Sequence, residues 1–286
     1  MSLRKGNNVV LGENINLGND VYIGHNCVVE DDVTIGDNVY IDSNTIIRSG
    51  TTIGSNSFVQ SNCIIGEYQM DFCLNRKKHE HTLSIGDNAI IRSATIIYTG
   101  STIGNDFQTG HRVTIREKSI IGNHVSLGTL TDVQGHCTIG DYVRTHSNCH
   151  IAQEAVIDNY VWLFPYVVLT NDLNPPSDDI AGVHIHSFAI IAADSLILPG
   201  REIGQDALVG AGSVVMKDVK PYMLVSGNPA KAIADVRKFN KVIGKEVYPW
   251  RNFFGRAMTW AEKGWDNWIA SLSKEERRLF KVDEII

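Results

Sequence analysis

Aliphatic residues recur at every sixth position over most of the chain. From Asn7 to Gly66 the sequence divides into ten hexads, and the fifth residue of each is Leu, Ile or Val. The same register resumes from His81 to Thr170 and again from Ser187 to Met216, and 28 of the thirty fifth positions are aliphatic. A period of six fits neither a helix nor an ordinary hairpin array. Each hexad is therefore predicted to form one short strand with an apolar inner side.

The other hexad positions predict how these strands connect. Third positions are mostly small or β-branched, so a compact and a bulky inward residue alternate. No hexad can bury such a side alone, and the units must therefore coil and stack into a continuous core. In the first run every second position is Asn, Asp or Gly. These residues adopt the left-handed backbone region with the least strain, which predicts a sharp corner there.

This repeat resembles that of the hexapeptide-repeat acyltransferases. The resemblance implies an all-β fold, a left-handed parallel β-helix with three hexads per coil and about ten coils in this chain. We therefore expect a β-helix acyltransferase domain over residues 1–235 and a small helical C-terminal appendage over residues 236–286.

Two insertions, residues 67–80 and 171–186, interrupt the repeat. The first insertion follows hexad 10 and the second follows hexad 25. With three hexads per coil, these two hexads lie on the same side of the β-helix, so both insertions leave the same edge. Five coils separate them, or roughly 24 Å at the usual strand spacing. Loops on a rigid scaffold often carry binding groups. The candidate substrate-binding residues at this edge are Glu67, Asp71, Lys118, Asn171 and Asp172.

The second run often breaks the corner rule, and such exceptions are candidates for function. Residues eighteen apart occupy equivalent places on successive coils, so Lys118, His136 and Glu154 form a ladder along the insertion edge. An imidazole beside a carboxylate suits a general base, which makes His136 the predicted base and Glu154 its partner. A solvated edge of alternating charges is the alternative interpretation. His124 lies on another edge, where a neighbouring subunit could bring it into the cleft.

Tyrosines also occupy second positions in this run, at Tyr142, Tyr160 and Tyr166. The resemblance implies a homotrimer with active sites between subunits. These tyrosines are therefore predicted to form part of an inter-subunit surface.

A turn after the last coil reads Gly-Asn-Pro-Ala-Lys, residues 227–231. In the family that the repeat resembles, a Gly-x-Pro-Ala-(Lys or Arg) turn at this place helps to hold coenzyme A. The resemblance implies that Lys231 meets a phosphate of the coenzyme as a point charge, although an ordinary exposed lysine would look the same. The implied cofactor-binding residues are Ala192, Gly210, Asn228, Pro229 and Lys231.

Composition and charge exclude several classes of function. The formal net charge is −6 and there is no long basic run, which disfavours nucleic acid and anionic membranes as partners. No apolar stretch reaches membrane-spanning length and the N-terminus has no secretory pattern, so we expect a cytoplasmic protein. Four of the five cysteines fall on third positions and are expected in the core.

Three histidines raise the question of a metal site, because some hexapeptide-repeat proteins are zinc carbonic anhydrases. His111 and His146 are 35 residues apart, one short of two coils, so they fall out of register with each other. We therefore expect no metal ion in this protein, at these residues, at His150 or elsewhere.

The C-terminal segment changes period and is rich in tryptophan. A capping box is predicted at Ser273 and Glu276, where a final helix begins. The tryptophans are expected to pack on the β-helix or on a neighbouring subunit, and a stacking platform for a nucleotide base is the alternative. These residues are Trp250, Trp260, Trp265 and Trp268.

The predicted activity follows from the resemblance. The run from Thr170 to Ser177 and the overall pattern look most like the N-acyltransferases that act on nucleotide-linked amino sugars. Some family members place a catalytic histidine at the start of a hexad, whereas His136 stands one place later, and an amine acceptor depends less on a strong base. We therefore expect transfer of an acyl group, with acetyl the expected one, from acetyl-coenzyme A to a nucleotide-linked deoxyamino sugar. The alternatives are O-acetylation of a sugar or serine-like hydroxyl, and a non-catalytic β-helical scaffold.

Overall fold

The computed structural model describes residues 3–76, 82–280 and 282. Parts of the predicted first insertion (residues 77–80) and of the predicted appendage (residues 281 and 283–286) lie outside the described residues, as do residues 1 and 2 of the predicted β-helix domain. The chain is an all-β parallel solenoid of about 12 turns with small C-terminal helices, so the predicted fold class is confirmed. The turns exceed the expected ten because strands at both ends continue the stack.

Three sheets, called A, B and C, form the sides of the solenoid. In spatial order, sheet A contains β1 (Arg4–Lys5), β4 (Tyr22–Ile23), β7 (Tyr40–Ile41), β10 (Phe58–Val59), β13 (Ile90–Ile91), β16 (Gln108–Thr109), β19 (Ser126–Leu127), β22 (Arg144–Thr145), β25 (Trp162–Leu163), β28 (Ile190–Ile191), β31 (Leu208–Val209), β33 (Met223–Ser226) and β34 (Lys231–Asp235). Sheet B contains β2 (Val10–Leu11), β5 (Val28–Val29), β8 (Ile46–Ile47), β11 (Ile64–Glu67), β14 (Ile96–Tyr98), β17 (Thr114–Ile115), β20 (Asp132–Val133), β23 (His150–Ile151), β26 (Val168–Leu169), β29 (Leu196–Ile197) and β32 (Val214–Val215). Sheet C contains β3 (Asn16–Leu17), β6 (Thr34–Ile35), β9 (Thr51–Ile53), β12 (Leu83–Ile85), β15 (Thr102–Ile103), β18 (Ile120–Ile121), β21 (Thr138–Ile139), β24 (Val156–Ile157), β27 (His184–Ile185) and β30 (Glu202–Ile203).

Each hexad forms one strand and one corner, as predicted. Its fourth and fifth residues make the strand, and its third and fifth residues are buried in one continuous core, as Val39 and Ile41 are. Cys27, Cys63 and Cys137 occupy such third positions, and burial raises the pKa of the Cys63 and Cys137 thiols to about 11. The predicted role of these cysteines as core residues is confirmed.

The corners lie at the second positions, where the backbone adopts positive φ. This holds even where the residue is not Asn, Asp or Gly, although the left-handed region costs such a residue roughly 1–2 kcal/mol. The residues that carry this strain in the second run include Arg112, Lys118, His124, Leu130, His136, Tyr142, Glu154, Tyr160 and Tyr166.

Both insertions leave the corner between sheets B and C, which confirms the prediction. The first follows β11 and contains α1 (Met70–Asn75), and the second follows β26, five strands further along sheet B. The second insertion is shorter than predicted, because β27 pairs with β24 and β30 within sheet C. Val183 and Ile185 fill the third and fifth places of a hexad that begins at Ala181, so the insertion covers residues 171–180.

The chain leaves the solenoid through an antiparallel hairpin of β33 and β34. Four short helices follow: α2 (Val236–Ile243), a 3-10 helix (Trp250–Asn252), α3 (Trp265–Ser271) and α4 (Lys274–Leu279). The predicted capping box is confirmed, since Ser273 Oγ accepts from the Glu276 backbone N–H and Glu276 Oε2 accepts from that of Ser273. No helix in the described ranges has the length and apolar character needed to cross a bilayer.

The C-terminal aromatic segment packs on the corner between sheets C and A. The Trp250 indole N–H donates to the Phe188 carbonyl at 2.8 Å, and Trp260 lies against Tyr160 with ring centroids 5.2 Å apart. Packing of the tryptophans on the β-helix is therefore confirmed. The interpretation of Tyr142 and Tyr160 as an inter-subunit surface is wrong, because Tyr160 is 0% exposed and both pack in the aromatic cluster of this same chain. Tyr166 remains 59% exposed.

A buried ion pair ties this segment to the solenoid. The Arg251 guanidinium contacts the Asp206 carboxylate, and the side chains are only 9% and 1% exposed. The guanidinium also lies over the rings of Phe188 and Trp265, with its carbon 4.8 and 5.1 Å from the ring centroids. Removing one partner would leave a buried charge without compensation.

We expect Arg251→Ala to lower the free energy of unfolding by about 3–5 kcal/mol, because Asp206 would keep its burial and lose its counterion. Urea unfolding followed by tryptophan fluorescence measures this loss, since four tryptophans lie in the segment. Arg237→Ala is the matched control, because Arg237 forms its ion pair with Asp235 at the surface, which is worth less than about 1 kcal/mol. Equal losses in the two variants would contradict a structural role for the buried pair.

Candidate active site

The outer face of sheet B carries a polar interruption between the two insertions. The fourth residue of each hexad points outward, and on this sheet it is usually aliphatic, as at Val28, Ile46, Ile64, Ile96, Val168, Leu196 and Val214. On three consecutive strands, β17, β20 and β23, it is instead Thr114, Asp132 and His150. Strand β23 is the direct neighbour of β26, from which the second insertion leaves.

Asp132 and His150 are direct partners across the parallel ladder. His150 Nδ1 lies 3.3 Å from Asp132 Oδ2, and the Gln134 side-chain amide donates to the same oxygen. The other end of that amide accepts from Arg116 at 3.5 Å, and Arg116 pairs with Glu117 at 2.8 Å. The Asp132 carboxylate is therefore held in place from two sides.

The environment keeps Asp132 ionised. Its pKa is lowered, first by the hydrogen bond with His150 and then by that with Gln134, against an opposing effect of burial. An ionised carboxylate at Nδ1 orients the imidazole and stabilises its charged form, and Nε2 is then available to accept a proton. The side chain of His150 is 40% exposed, so a substrate can reach it. This pair has the arrangement that the sequence predicted for His136 and Glu154.

The structure places Lys118, His136 and Glu154 on one corner, as predicted. All three are exposed at second positions with positive φ. Within the described ranges neither the imidazole of His136 nor the carboxylate of Glu154 has a hydrogen bond or an ion pair. Their positions on successive coils are set by backbone hydrogen bonds. The His136 and Glu154 N–H groups donate to the carbonyls of Glu117 and Gly135 on the previous coil.

His124 is paired as well, at the corner between sheets C and A. Its Nδ1 lies 3.5 Å from Asp106 Oδ2, and its ring stacks on Tyr142 with centroids 4.5 Å apart. That corner is the one opposite sheet B in the solenoid cross-section. His124 and His150 therefore cannot serve one acceptor within a single chain.

The first insertion is anchored on sheet B by an ionic cluster. Glu30 accepts from Arg48 at 2.7 Å and from the Tyr68 hydroxyl at 2.9 Å, while the Arg48 guanidinium lies over the Tyr68 ring. The predicted substrate residue Glu67 accepts from the Tyr68 backbone N–H. Asp71 lies in the first turn of α1 and accepts from the adjacent backbone N–H.

The second insertion uses Asp172 to shape its own backbone. The carboxylate accepts from the Ser177 hydroxyl at 2.6 Å, the Ser177 N–H at 2.9 Å and the Asn174 N–H at 3.0 Å. These bonds, that of the Ser177 hydroxyl foremost, lower the pKa of Asp172. The Asn171 carbonyl accepts from the Ala181 N–H and closes the loop. Asp172 is thus mainly occupied by loop donors.

The implied coenzyme residues lie together at the end of the solenoid. Ala192 and Gly210 occupy the sixth positions of adjacent hexads in sheet A, and a Cβ atom on Gly210 would come within 2.8 Å of Ser226 Oγ. The turn after Ser226 contains a cis bond between Asn228 and Pro229, and Lys231 follows it with an exposed side chain. Ala192 is nearly two coils beyond His150, or about 8 Å along the axis.

The eighteen-residue rule could have found the Asp132–His150 pair from the sequence. The predicted ladder of Lys118, His136 and Glu154 lies at second positions, where exceptions to the corner rule stand out. Asp132 and His150 are eighteen apart at fourth positions, where polar residues interrupt an otherwise aliphatic column of sheet B.

Comparison with known proteins confirms the predicted resemblance. Residues 32–67 match the family described as bacterial transferase hexapeptide (six repeats). The chain is 31% identical over 123 residues to the acyl-[acyl-carrier-protein]--UDP-N-acetylglucosamine O-acyltransferase of Pseudomonas aeruginosa, a match that covers 42% of this chain and 43% of the relative. It is 49% identical over 43 residues to a chloramphenicol acetyltransferase of Escherichia coli, covering 15% and 20%. The chain thus spans less than half the length of the curated relatives it matches.

Solved structures similar to this one include the serine acetyltransferase of Neisseria gonorrhoeae, at 29% identity and a TM-score of 0.34, with 36% of this chain and 41% of that chain covered. The UDP-N-acetylglucosamine acyltransferase from Campylobacter jejuni is 22% identical with a TM-score of 0.42, and the match covers 84% and 77%.

We expect His150→Ala to raise the pKa of Asp132 toward the ordinary value of about 3.9, because the main cause of the lowering is removed. The lowered pKa contributes stability that is present above about pH 4 and is lost as the pH falls through the folded value, so the variant should lose part of that contribution. NMR titration of 13C-labelled aspartate carboxyls measures the shift. His124→Ala should leave the Asp132 titration unchanged, and an unchanged titration in His150→Ala would disprove the pairing.

Proposed function

We propose that this chain, which carries bacterial transferase hexapeptide repeats, moves an acyl group from a coenzyme A thioester to the amino group of a nucleotide-linked deoxyamino sugar. The observation that carries the proposal is the Asp132–His150 pair, which interrupts the aliphatic outer face of sheet B between the two insertions. The named relatives that act on UDP-N-acetylglucosamine support a nucleotide-linked acceptor.

His150 would act as the general base. As the acceptor nitrogen attacks the thioester carbonyl, Nε2 takes its proton, and Asp132 stabilises the resulting imidazolium. The new C–N bond forms, the C–S bond breaks, and the imidazolium returns the proton to the leaving thiolate. The proton balance is then restored, with the amide and free coenzyme A as products.

The two substrates would approach His150 from different sides. The coenzyme would lie along the last coils near Ala192 and Gly210, with a phosphate at Lys231. Its pantetheine arm would reach back nearly two coils to sheet B. The sugar nucleotide would enter between the insertions, where Arg116 is fixed beside the pair and offers a cation for a phosphate or carboxylate.

The aliphatic outer face of sheet B supports an assembly of several copies. A long apolar surface column is typical of a surface that another chain covers. A homotrimer that buries this face would enclose the Asp132–His150 pair between subunits and exclude water from it.

O-acyl transfer to a hydroxyl is the second candidate function. The oriented imidazole favours it specifically, because an unactivated hydroxyl depends more on a base than a neutral amine does. Assays with matched sugar nucleotides that carry either an amino or a hydroxyl group at the accepting carbon separate the two.

We expect His150→Ala to lower turnover by about 100 to 10,000-fold with little change in coenzyme affinity, because general-base catalysis is worth that much. Steady-state assays with acetyl-coenzyme A and the acceptors above measure it. His136→Ala and His124→Ala are the matched controls and should lose less than about tenfold. Light scattering on each variant checks that the assembly, proposed as three 31.6 kDa chains, is unchanged. A large loss in His136→Ala with a small one in His150→Ala would assign the base to the corner ladder.

We expect Lys231→Ala to weaken coenzyme A binding while turnover at saturation stays nearly intact, because a phosphate contact far from the thioester acts on binding alone. Calorimetric titration with coenzyme A and parallel kinetics measure the two quantities. Lys241→Ala, in the last turn of α2, is the control. A loss confined to turnover would contradict the assignment.

A further inference from the structure

A second group of ionisable side chains lies on the outer face of sheet C, away from the pair on sheet B. His184 and His186 occupy the fourth and sixth positions of the hexad that begins at Ala181. Asp158 occupies the sixth position on the preceding strand of the same sheet, and Glu202 the fourth position on the following one. Because fourth and sixth positions both point outward, these four side chains share one surface.

The two imidazoles converge on one carboxylate. His184 Nε2 lies 3.2 Å from Asp158 Oδ1, and His186 Nδ1 lies 3.3 Å from Asp158 Oδ2. The two rings lie 4.0 Å apart between centroids. One ligand atom from each of the three residues can be chosen so that all lie within 4.8 Å of one another.

We propose that Asp158, His184 and His186 form a binding site for Zn²⁺. Zinc holds imidazole nitrogen at about 2.0–2.1 Å and carboxylate oxygen at about 2.0–2.2 Å in a tetrahedron, whose edges are then about 3.3 Å. The separations of His184 Nε2 from Asp158 Oδ1 and of His186 Nδ1 from Asp158 Oδ2, 3.2 and 3.3 Å, are close to this edge and involve the two different oxygens of the carboxylate. Two imidazoles and a carboxylate are a donor set that suits zinc better than Mg²⁺ or Ca²⁺, which take oxygen ligands.

The surroundings of His186 fit a metal ligand. Its Nδ1 faces Asp158, while its other nitrogen, Nε2, lies 3.7 Å from Glu202 Oε2. Histidines that bind a metal through one nitrogen usually direct the other to a carboxylate, which fixes the ring and raises its basicity.

A cavity beside the cluster leaves room for a fourth ligand. It has a volume of about 500 Å³ and is lined by Asp158, His186, Glu202, Gln205 and Lys220, among others. Three protein ligands with an open fourth position are typical of zinc sites that bind water or a ligand oxygen. The site therefore differs from a closed structural one and is independent of the proposed acyl transfer.

The chain contains its own matched controls. Asp106–His124 and Asp132–His150 are imidazole–carboxylate pairs of similar separation, at 3.5 and 3.3 Å, but each has only one histidine. If three protein ligands are needed, zinc should bind tightly to the sheet C cluster and not to these two pairs.

The experiment uses the full chain, treated with chelator and then titrated with Zn²⁺ alone against a chromophoric competing chelator. We expect one tight zinc site per chain. His184→Ala and His186→Ala should each lower its zinc affinity by more than about 100-fold, since loss of a partner outside the ligand set already lowers metal affinity by about 10–100-fold. Glu202→Gln should weaken it by about tenfold. His150→Ala should leave it unchanged. Co²⁺ in place of Zn²⁺ should give the intense visible bands of a tetrahedral complex.

Asp158→Asn removes the carboxylate charge and preserves the side-chain shape, so a loss of zinc affinity in this variant would not result from misfolding. Thermal unfolding of each variant checks the fold. Absence of a tight site in the wild-type chain would overturn the proposal. Retention of zinc by the His184→Ala/His186→Ala double variant would overturn it as well, because the metal would then be bound elsewhere. Neither outcome bears on acyl transfer, because no acyl substrate is present.

Discussion

The structure depends on the hydrogen bonds that join each coil to the next in fixed register. The Tyr40 N–H donates to the Ser57 carbonyl at 2.9 Å, and equivalent bonds repeat along all three sheets. A coil therefore cannot slip, and residues eighteen apart are held within contact distance. The Asp132–His150 pair is a direct product of this constraint. Asp158 and His186 stand 28 apart because the ten residues 171–180 are inserted between their coils.

The same constraint explains what the sequence could predict. The hexad period was sufficient for the stacked strands and the corners, and the resemblance to the hexapeptide-repeat family supplied the left-handed β-helix with three hexads per coil, from which the shared edge of the insertions follows by counting. Side-chain direction does not follow from counting. His136 and Glu154 are neighbours in register at strained corners but form no ion pair within the described ranges, whereas Asp132 and His150 pair on a strand face. Tyr160 is buried by the C-terminal segment. This segment has no repeat, so counting along the hexads does not show where it packs.

Backbone strain is concentrated in the middle coils. Residues such as Leu130, His136 and Glu154 adopt the left-handed region that Asn and Gly occupy in the first run. Such conformations persist only where the surrounding structure determines them strongly. Here backbone hydrogen bonds to the coils above and below hold the corners in this conformation. Larger side chains can therefore line the corners around the candidate site without loss of register.

The hairpin at the C-terminal end also governs how whole molecules can meet. Strand β34 runs antiparallel to β33, so β33, the last parallel strand of sheet A, is paired on both edges. At the other end β1 and β2 are the first strands of sheets A and B among the described residues, and Val10 is 58% exposed. A fibre of solenoids joined head to tail needs a free parallel edge at both ends of every molecule. A second solenoid that meets this end of sheet A therefore encounters β34, whose direction is reversed relative to the stack, and cannot continue the parallel ladder.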